Sequence, residues 1–177
     1  MGMTITEGIK QLKIIQKRML ANQQDINKYA SKLNSEKAIF ETEEEQKKQV
    51  QSLIQANEDL LVRYLDLKKN IEYTNLMIQV DLGGKKYFLS DLIVLKRKLG
   101  ELIVGTYNQL NTNAASSKML INRGSNTMVD GKPIQVEMMY NEKAKNEKLR
   151  EWKDLLDAID GKLETINATT DLMELTK

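Results

Sequence analysis

The chain has no cysteine and no histidine, and aromatic residues make up 5% of its 177 positions. Without cysteine there is no disulfide, no thiolate metal ligand and no thiol nucleophile. Without histidine the usual general base and the commonest metal ligand are gone. Together these gaps exclude most familiar hydrolase mechanisms. The shortage of aromatics speaks against a compact sandwich and for elongated helices. An excess of one charge is also missing. Lysine plus arginine number 27 against 25 aspartate plus glutamate, a net charge of +2, so no basic footprint points to nucleic acid or an anionic membrane. No window approaches the roughly 18 consecutive apolar residues of a membrane span, and MGMTITEGIKQLK has no continuous apolar stretch of the kind a signal peptide needs. The expectation is a soluble, unprocessed, cytoplasmic chain without a membrane span. The missing cysteines fit a reducing compartment.

What is present is helical period. At 41% apolar and 29% charged, the chain is long enough to form one domain with a core. Thr4 and Glu7 have the spacing of a capping box. After them Leu12, Ile15, Met19, Asn22, Ile26, Tyr29 and Leu33 recur at steps of three and four, a heptad seam. This predicts a first helix of about 30 residues, about 45 Å long at 1.5 Å per residue. Asn34 and Ser35 mark its end, and Thr42 with Glu45 opens a second helix of similar length. Its seam is Val50, Leu53, Asn57, Leu60, Tyr64, Leu67 and Ile71, widened by Ile54, Leu61 and Leu65. Two such helices with a short connection form an antiparallel hairpin over residues 1–77. Asn22 and Asn57 fall on the seams, where a buried Asn fixes register or oligomeric state, or simply sits partly wet.

A β-hairpin is expected at 78–89 and a third helix at 90–113, with Leu92, Leu95, Leu99, Leu102, Ile103 and Leu110 on its face. Gly100 and Gly105 there would let a neighbour approach closely. Residues 114–136 are rich in Asn, Ser, Thr and Gly and read as a loop with a second hairpin. KMLIN and TMV form its short strands around Arg123 to Asn126, Asp130-Gly131 a turn, and Ile134 to Val136 a further extended piece. A last helix at 137–168 carries Leu149, Trp152, Leu156, Ile159, Leu163 and Ile166 on one face, and 169–177 is a tail. The fold class is therefore mainly α, a coiled-coil-like helical hairpin with two shorter helices and small β-hairpins, in a single domain.

The one stretch with the look of a binding loop is VDLGGKKYFLSD, Val80 to Asp91. It matches neither the phosphate-binding P-loop nor the dinucleotide fingerprint. Its flanks are strand-like, so Gly83-Gly84 reads as a two-residue hairpin turn, with Ser90 capping the third helix and Asp91 at its positive end. Lys85 and Lys86 beside a helix start offer a weak anion site with Ser90, or they only solvate a hairpin edge. The acidic run Glu43 to Glu45 complements a helix start, and Asn167-Ala168-Thr169 matches a glycosylation acceptor with no signal peptide before it. No catalytic, cofactor or metal residues are identified, and no enzyme activity is expected.

The segment IEYTN (Ile71 to Asn75), a Gly turn, and LSDLI (Leu89 to Ile93) resemble the septicolysin-like family of small bacterial and phage proteins. Thr74, Asn75, Leu89, Ser90, Asp91, Ile93 and Thr169 to Leu172 occupy the matching positions. Where the family has Arg-Asp inside the third helix this chain has Lys96-Arg97, and its stretch before the last helix is longer. The resemblance implies a helical hairpin with small β elements and self-association, and it brings no catalytic residues. The expected function is that of a structural or assembly protein, a homo-oligomer or a subunit of a larger complex such as a phage virion. A pore-forming or membrane-active protein and a small anion-binding module are the competing readings. The residues expected to carry association are those of the seams: Leu12, Ile15, Met19, Ile26, Leu53, Leu60, Tyr64 and Leu67.

Overall fold

The computed structural model describes residues 2–122, 128–129 and 132–175. In chain order it contains α1 (Ile5–Tyr29), α2 (Glu43–Met77), β1 (Gln79–Leu82), β2 (Lys85–Phe88), α3 (Leu89–Val94) and a π-helical turn (Leu95–Leu99). Then follow α4 (Gly100–Asn108), α5 (Asn113–Asn122), β3 (Met128–Val129), β4 (Lys132–Pro133) and α6 (Glu142–Thr169). The protein is mainly helical, with α1 and α2 as a long antiparallel hairpin. Contacts group the chain into two compact units: Met1–Gln79 with Phe88–Ser90 and Glu164–Lys177, and Val80–Tyr87 with Asp91–Leu163.

In the first unit, α1 starts where the sequence places it. Glu7 N–H donates to Thr4 Oγ1 at 3.2 Å, and Thr4 N–H donates to Glu7 Oε2 at 2.8 Å, so two orphan donors of the helix start are satisfied reciprocally. Leu12 and Ile15 of α1 and Leu60 and Ile71 of α2 are buried; Met19, Ile26, Leu53, Tyr64 and Leu67 are half-buried. Gln16 Nε2 donates to the Tyr64 hydroxyl at 3.3 Å, a polar contact from helix to helix. α1 ends at Tyr29 and does not run to Leu33, which stands exposed. The reason lies across the hairpin. Buried Gln46 donates its amide to Tyr29 O at 2.7 Å and accepts from Ile39 N–H at 3.1 Å, so the last carbonyls of α1 find a partner other than another helical turn. Phe40 packs edge-on against Tyr29 with ring centroids 5.0 Å apart, and Lys32 pairs with Glu43 at 2.8 Å. Thr42 caps α2 as expected, accepting from Glu45 N–H at 3.1 Å.

Residues 170–175 at the C-terminus are not a loose tail. They run between the start of α1 and the end of α2. Ile5 N–H donates to Thr170 O at 3.0 Å and Leu172 N–H to Met3 O at 2.8 Å, around an antiparallel bridge between Thr4 and Asp171.

In the second unit, Gly83 and Gly84 adopt φ of 62° and 79°, the left-handed pair that a two-residue hairpin turn requires, and they join β1 to β2 as predicted. The third helix differs from expectation in its middle. Gly100 N–H reaches Leu95 O, five residues back, and closes a π turn. One extra residue in a turn rotates everything after it by about 100°. Leu99 and Leu102, predicted on the buried face with Leu92 and Leu95, are therefore exposed, while Gly100 is buried. A Cβ at Gly100 would collide with the Leu156 side chain of α6 and lie 2.9 Å from Leu95 O. Close approach is thus real at Gly100; at Gly105 a Cβ would meet nothing.

Residues 118–122, expected as a strand, belong to α5. Asn111 Oδ1 accepts from Asn113 N–H at 2.9 Å at its start, and Ala114, Ala115, Lys118, Met119 and Leu120 are good helix formers, which outweighs the polar content. Of the second hairpin, the described residues show Met128–Val129 paired antiparallel with Lys132–Pro133; Ile134 to Val136 form no strand. The expected features at Arg123 to Asn126 and Asp130-Gly131 lie outside the described residues. The last helix begins at Glu142, not at 137, because Asn141 caps it, its Oδ1 accepting from Ala144 N–H at 3.0 Å. Its predicted face is correct: Ile159 and Leu163 are buried, and Leu149, Trp152, Leu156 and Ile166 are half-buried.

Candidate functional site

Lys85 and Lys86 project from β2 beside the glycine turn, and both are exposed. The free amide of that turn is already used. Gly84 N–H donates to the Asp81 carboxylate at 3.1 Å, which puts a negative charge where an anion would have to sit. Ser90 is not the cap of α3, since that helix starts at Leu89, whose N–H donates to Ile78 O at 2.9 Å. With six residues before the π turn, α3 has too little aligned backbone to hold an anion strongly.

The seam residues Leu12, Ile15, Met19, Ile26, Leu53, Leu60, Tyr64 and Leu67 are brought together within the α1–α2 pair, where they form the interior of the hairpin. Asn22 and Asn57 meet there as well: Asn22 Nδ2 donates to Asn57 Oδ1 at 2.9 Å, and Asn57 Nδ2 donates to Met19 O at 3.3 Å. Ile54, Leu61 and Leu65 do not widen this seam. They lie about 100° round α2 from it, given 100° per residue, and remain 45%, 47% and 46% exposed. With Glu58, Lys68 and Glu72 they form a second run at steps of four and three, which apolar spacing alone does not reveal because charged residues fill three of its positions.

Away from that run, a shallow groove between α1 and α2 is lined by Arg18, Ala21, Asn22, Ala56, Asp59, Leu60 and Arg63. Asp59 accepts from Gln55 Nε2 at 2.9 Å, and among the described residues neither arginine makes an ion pair. A second exposed apolar set lies on α5 and before α6, where Ile121 and Met139 are 81% and 84% exposed.

The junction at Thr74 was not legible as a site. Thr74 is fully buried, donates its hydroxyl to Asn70 O at 2.7 Å and accepts Met173 N–H at 2.9 Å; Leu175 N–H donates to Asn70 Oδ1 at 3.1 Å. The junction therefore joins Thr74 and Asn70 of α2 to Met173 and Leu175, directly after Thr169–Leu172. A polar residue at a position of α2 facing inward is the signal that would have found it. Among the described residues, the side-chain oxygens Asn75 Oδ1 and, in α6, Asn167 Oδ1 are buried without a hydrogen-bond partner.

Hydrogen bonds from the backbone and side chain of Thr4 hold the Glu7 carboxyl below the usual range. The Lys32 ammonium does the same for Glu43, first by hydrogen bonding and then by charge, and Glu151 raises Lys148. Each is a surface pair or cap. Among the described residues there is no group of three or more metal-ligating side chains, and no helix is long and apolar enough to cross a membrane. Compared with known proteins, the chain matches no family model, no curated protein and no solved structure.

Proposed function

We propose that this chain is a non-enzymatic structural or assembly protein that self-associates or docks into a larger complex. A phage virion is the kind of assembly that its sequence resemblance suggests. The reading is carried by the exposed run on α2. Ile54, Leu61 and Leu65 sit at helical spacing on one line of a 35-residue helix whose other stripe is already committed to α1. Fully burying one such side chain is worth about 1.5–3 kcal/mol, and heptad-like spacing is the form in which a helix presents apolar groups to another helix.

Sedimentation velocity and light scattering across micromolar concentrations test this. A concentration-dependent oligomer, or stable co-sedimentation with an assembled particle, is the expected result. A 20.3 kDa monomer at every concentration with no recovered partner would refute it.

The exposed Met119, Leu120, Ile121, Met138 and Met139 favour a second reading, contact with a lipid surface. α5 has ten residues, half of what a helical span needs at about 20. Dye release from liposomes at micromolar protein would support that reading; intact liposomes would remove it.

A further inference from the structure

We infer that α2 pairs antiparallel with α2 of a second copy of this chain along Ile54, Glu58, Leu61, Leu65, Lys68 and Glu72, in a register centred on Arg63. The inference rests on the self-association reading above and gives it a geometry. Numbers 61 and 65, 58 and 68, and 54 and 72 are each equidistant from 63. In a two-fold pairing of antiparallel helices, positions equidistant from the centre face each other across the interface, and each contact occurs twice.

Leu61 then packs on Leu65 of the second copy, and Glu58 faces Lys68 of the second copy. Half-buried Val50 and exposed Leu76 are likewise equidistant from the centre and extend the apolar contact outward. Ile54 falls against the methylenes of Glu72. Lys68 already pairs with Glu72 of its own helix at 3.0 Å, so Glu58 of the other copy completes an acid–base–acid row. Among the described residues Glu58 makes no ion pair within its own chain, which leaves its carboxylate available.

Charge decides between this arrangement and its rivals. A parallel in-register pair sets Glu58 against Glu58 and Lys68 against Lys68. An antiparallel pair centred on Leu65 sets Glu58 against Glu72, and one centred on Leu61 sets Ile54 against Lys68. Like charges on facing seam positions disfavour the first two; the third separates Glu58 from Lys68 and sets Leu65 against Asn57, which is already bonded to Asn22. The register centred on Arg63 joins leucine to leucine and opposite charges to each other. Charged or polar residues inside a seam are a common means of fixing register and orientation.

The absence of cysteine in the chain makes the test direct. Chains carrying Leu61→Cys are mixed with chains carrying Leu65→Cys and oxidised; the proposal expects the mixed disulfide to dominate over either disulfide between identical chains. Glu58→Lys should weaken self-association about tenfold, and Glu58→Lys with Lys68→Glu should restore it, at about 1.4 kcal/mol per factor of ten. Circular dichroism of each variant confirms that α2 is intact. If disulfides between two Leu61→Cys chains and between two Leu65→Cys chains dominate instead, the antiparallel geometry is overturned while self-association stands. An oligomer that forms no disulfide through either position, or that ignores the charge reversal, would overturn the choice of face. A monomer at all concentrations would overturn this pairing, and a monomer that also recovers no partner would overturn the reading beneath it.

Discussion

Asn22 of α1 donates its side-chain amide to the Asn57 oxygen of α2 at 2.9 Å, in the middle of two otherwise apolar seams. Asn57 passes its own amide on to Met19 O at 3.3 Å, so both side chains are engaged. Such a pair permits one alignment of the helices, because sliding either helix by a turn leaves each amide facing an alkyl chain. Asn57→Ala strands the Asn22 donor and should lower stability by about 1–2 kcal/mol. The double variant Asn22→Leu, Asn57→Leu removes both partners and should recover most of that loss while broadening the alignment of the hairpin. Urea unfolding midpoints measure the first effect. Distances between spin labels on α1 and α2 measure the second.

Thr74→Val keeps shape and removes the hydroxyl. The Met173 N–H, held at 2.9 Å in the native protein, then has no acceptor, and the expected loss is about 1–3 kcal/mol. Amide hydrogen exchange should speed up at Met173 and Leu175 first, before the centre of α1 and α2 changes. Uniform acceleration throughout the hairpin would show that the C-terminal segment is not a separately released strap.

Gly100 and Gly105 make a matched pair in one helix. Gly100→Ala drives a methyl group into Leu156 and against Leu95 O and should cost about 1–3 kcal/mol. Gly105→Ala meets open space and should stabilise by about 0.5–1 kcal/mol, since Ala loses less backbone freedom in a helix. Thermal melts followed by circular dichroism should move in opposite directions. Equal shifts for both would contradict the close packing at the π turn.

Glu7 titrates below its ordinary value because Thr4 donates to its charged form. A carboxyl with a depressed folded-state pKa contributes stability that is present above its unfolded value and lost as pH falls through the folded one. Glu7→Gln should therefore reduce stability at neutral pH and remove part of the acid-side decline. Carbon-detected NMR titration of the Glu7 carboxyl should give a midpoint below the ordinary glutamate value, and this difference should shrink in Thr4→Ala, which removes the hydroxyl but keeps the backbone N–H that donates to Glu7.

The sequence alone determined the starts of α1 and α2, their facing seams and the glycine turn. These depend on neighbours within a few positions: Thr4 and Glu7 cap each other three residues apart, the α1 and α2 seams repeat every three or four residues, and Gly83-Gly84 supply positive φ wherever the chain folds back. The tertiary structure decided what depends on partners far along the chain. α1 stops at Tyr29 because Gln46, from the other helix, takes its carbonyl. The third helix widens at Leu95–Leu99, next to a glycine packed against Leu156 of α6, and that single extra residue turns Leu99 and Leu102 outward against a period that reads as continuous. The C-terminal residues form a strap because Thr74, ninety-nine positions earlier, offers Met173 an acceptor inside a buried junction. The exposure of Ile54, Leu61 and Leu65 likewise appears only when α1 is in place, because one neighbouring helix covers one stripe of α2 and leaves the next open to water.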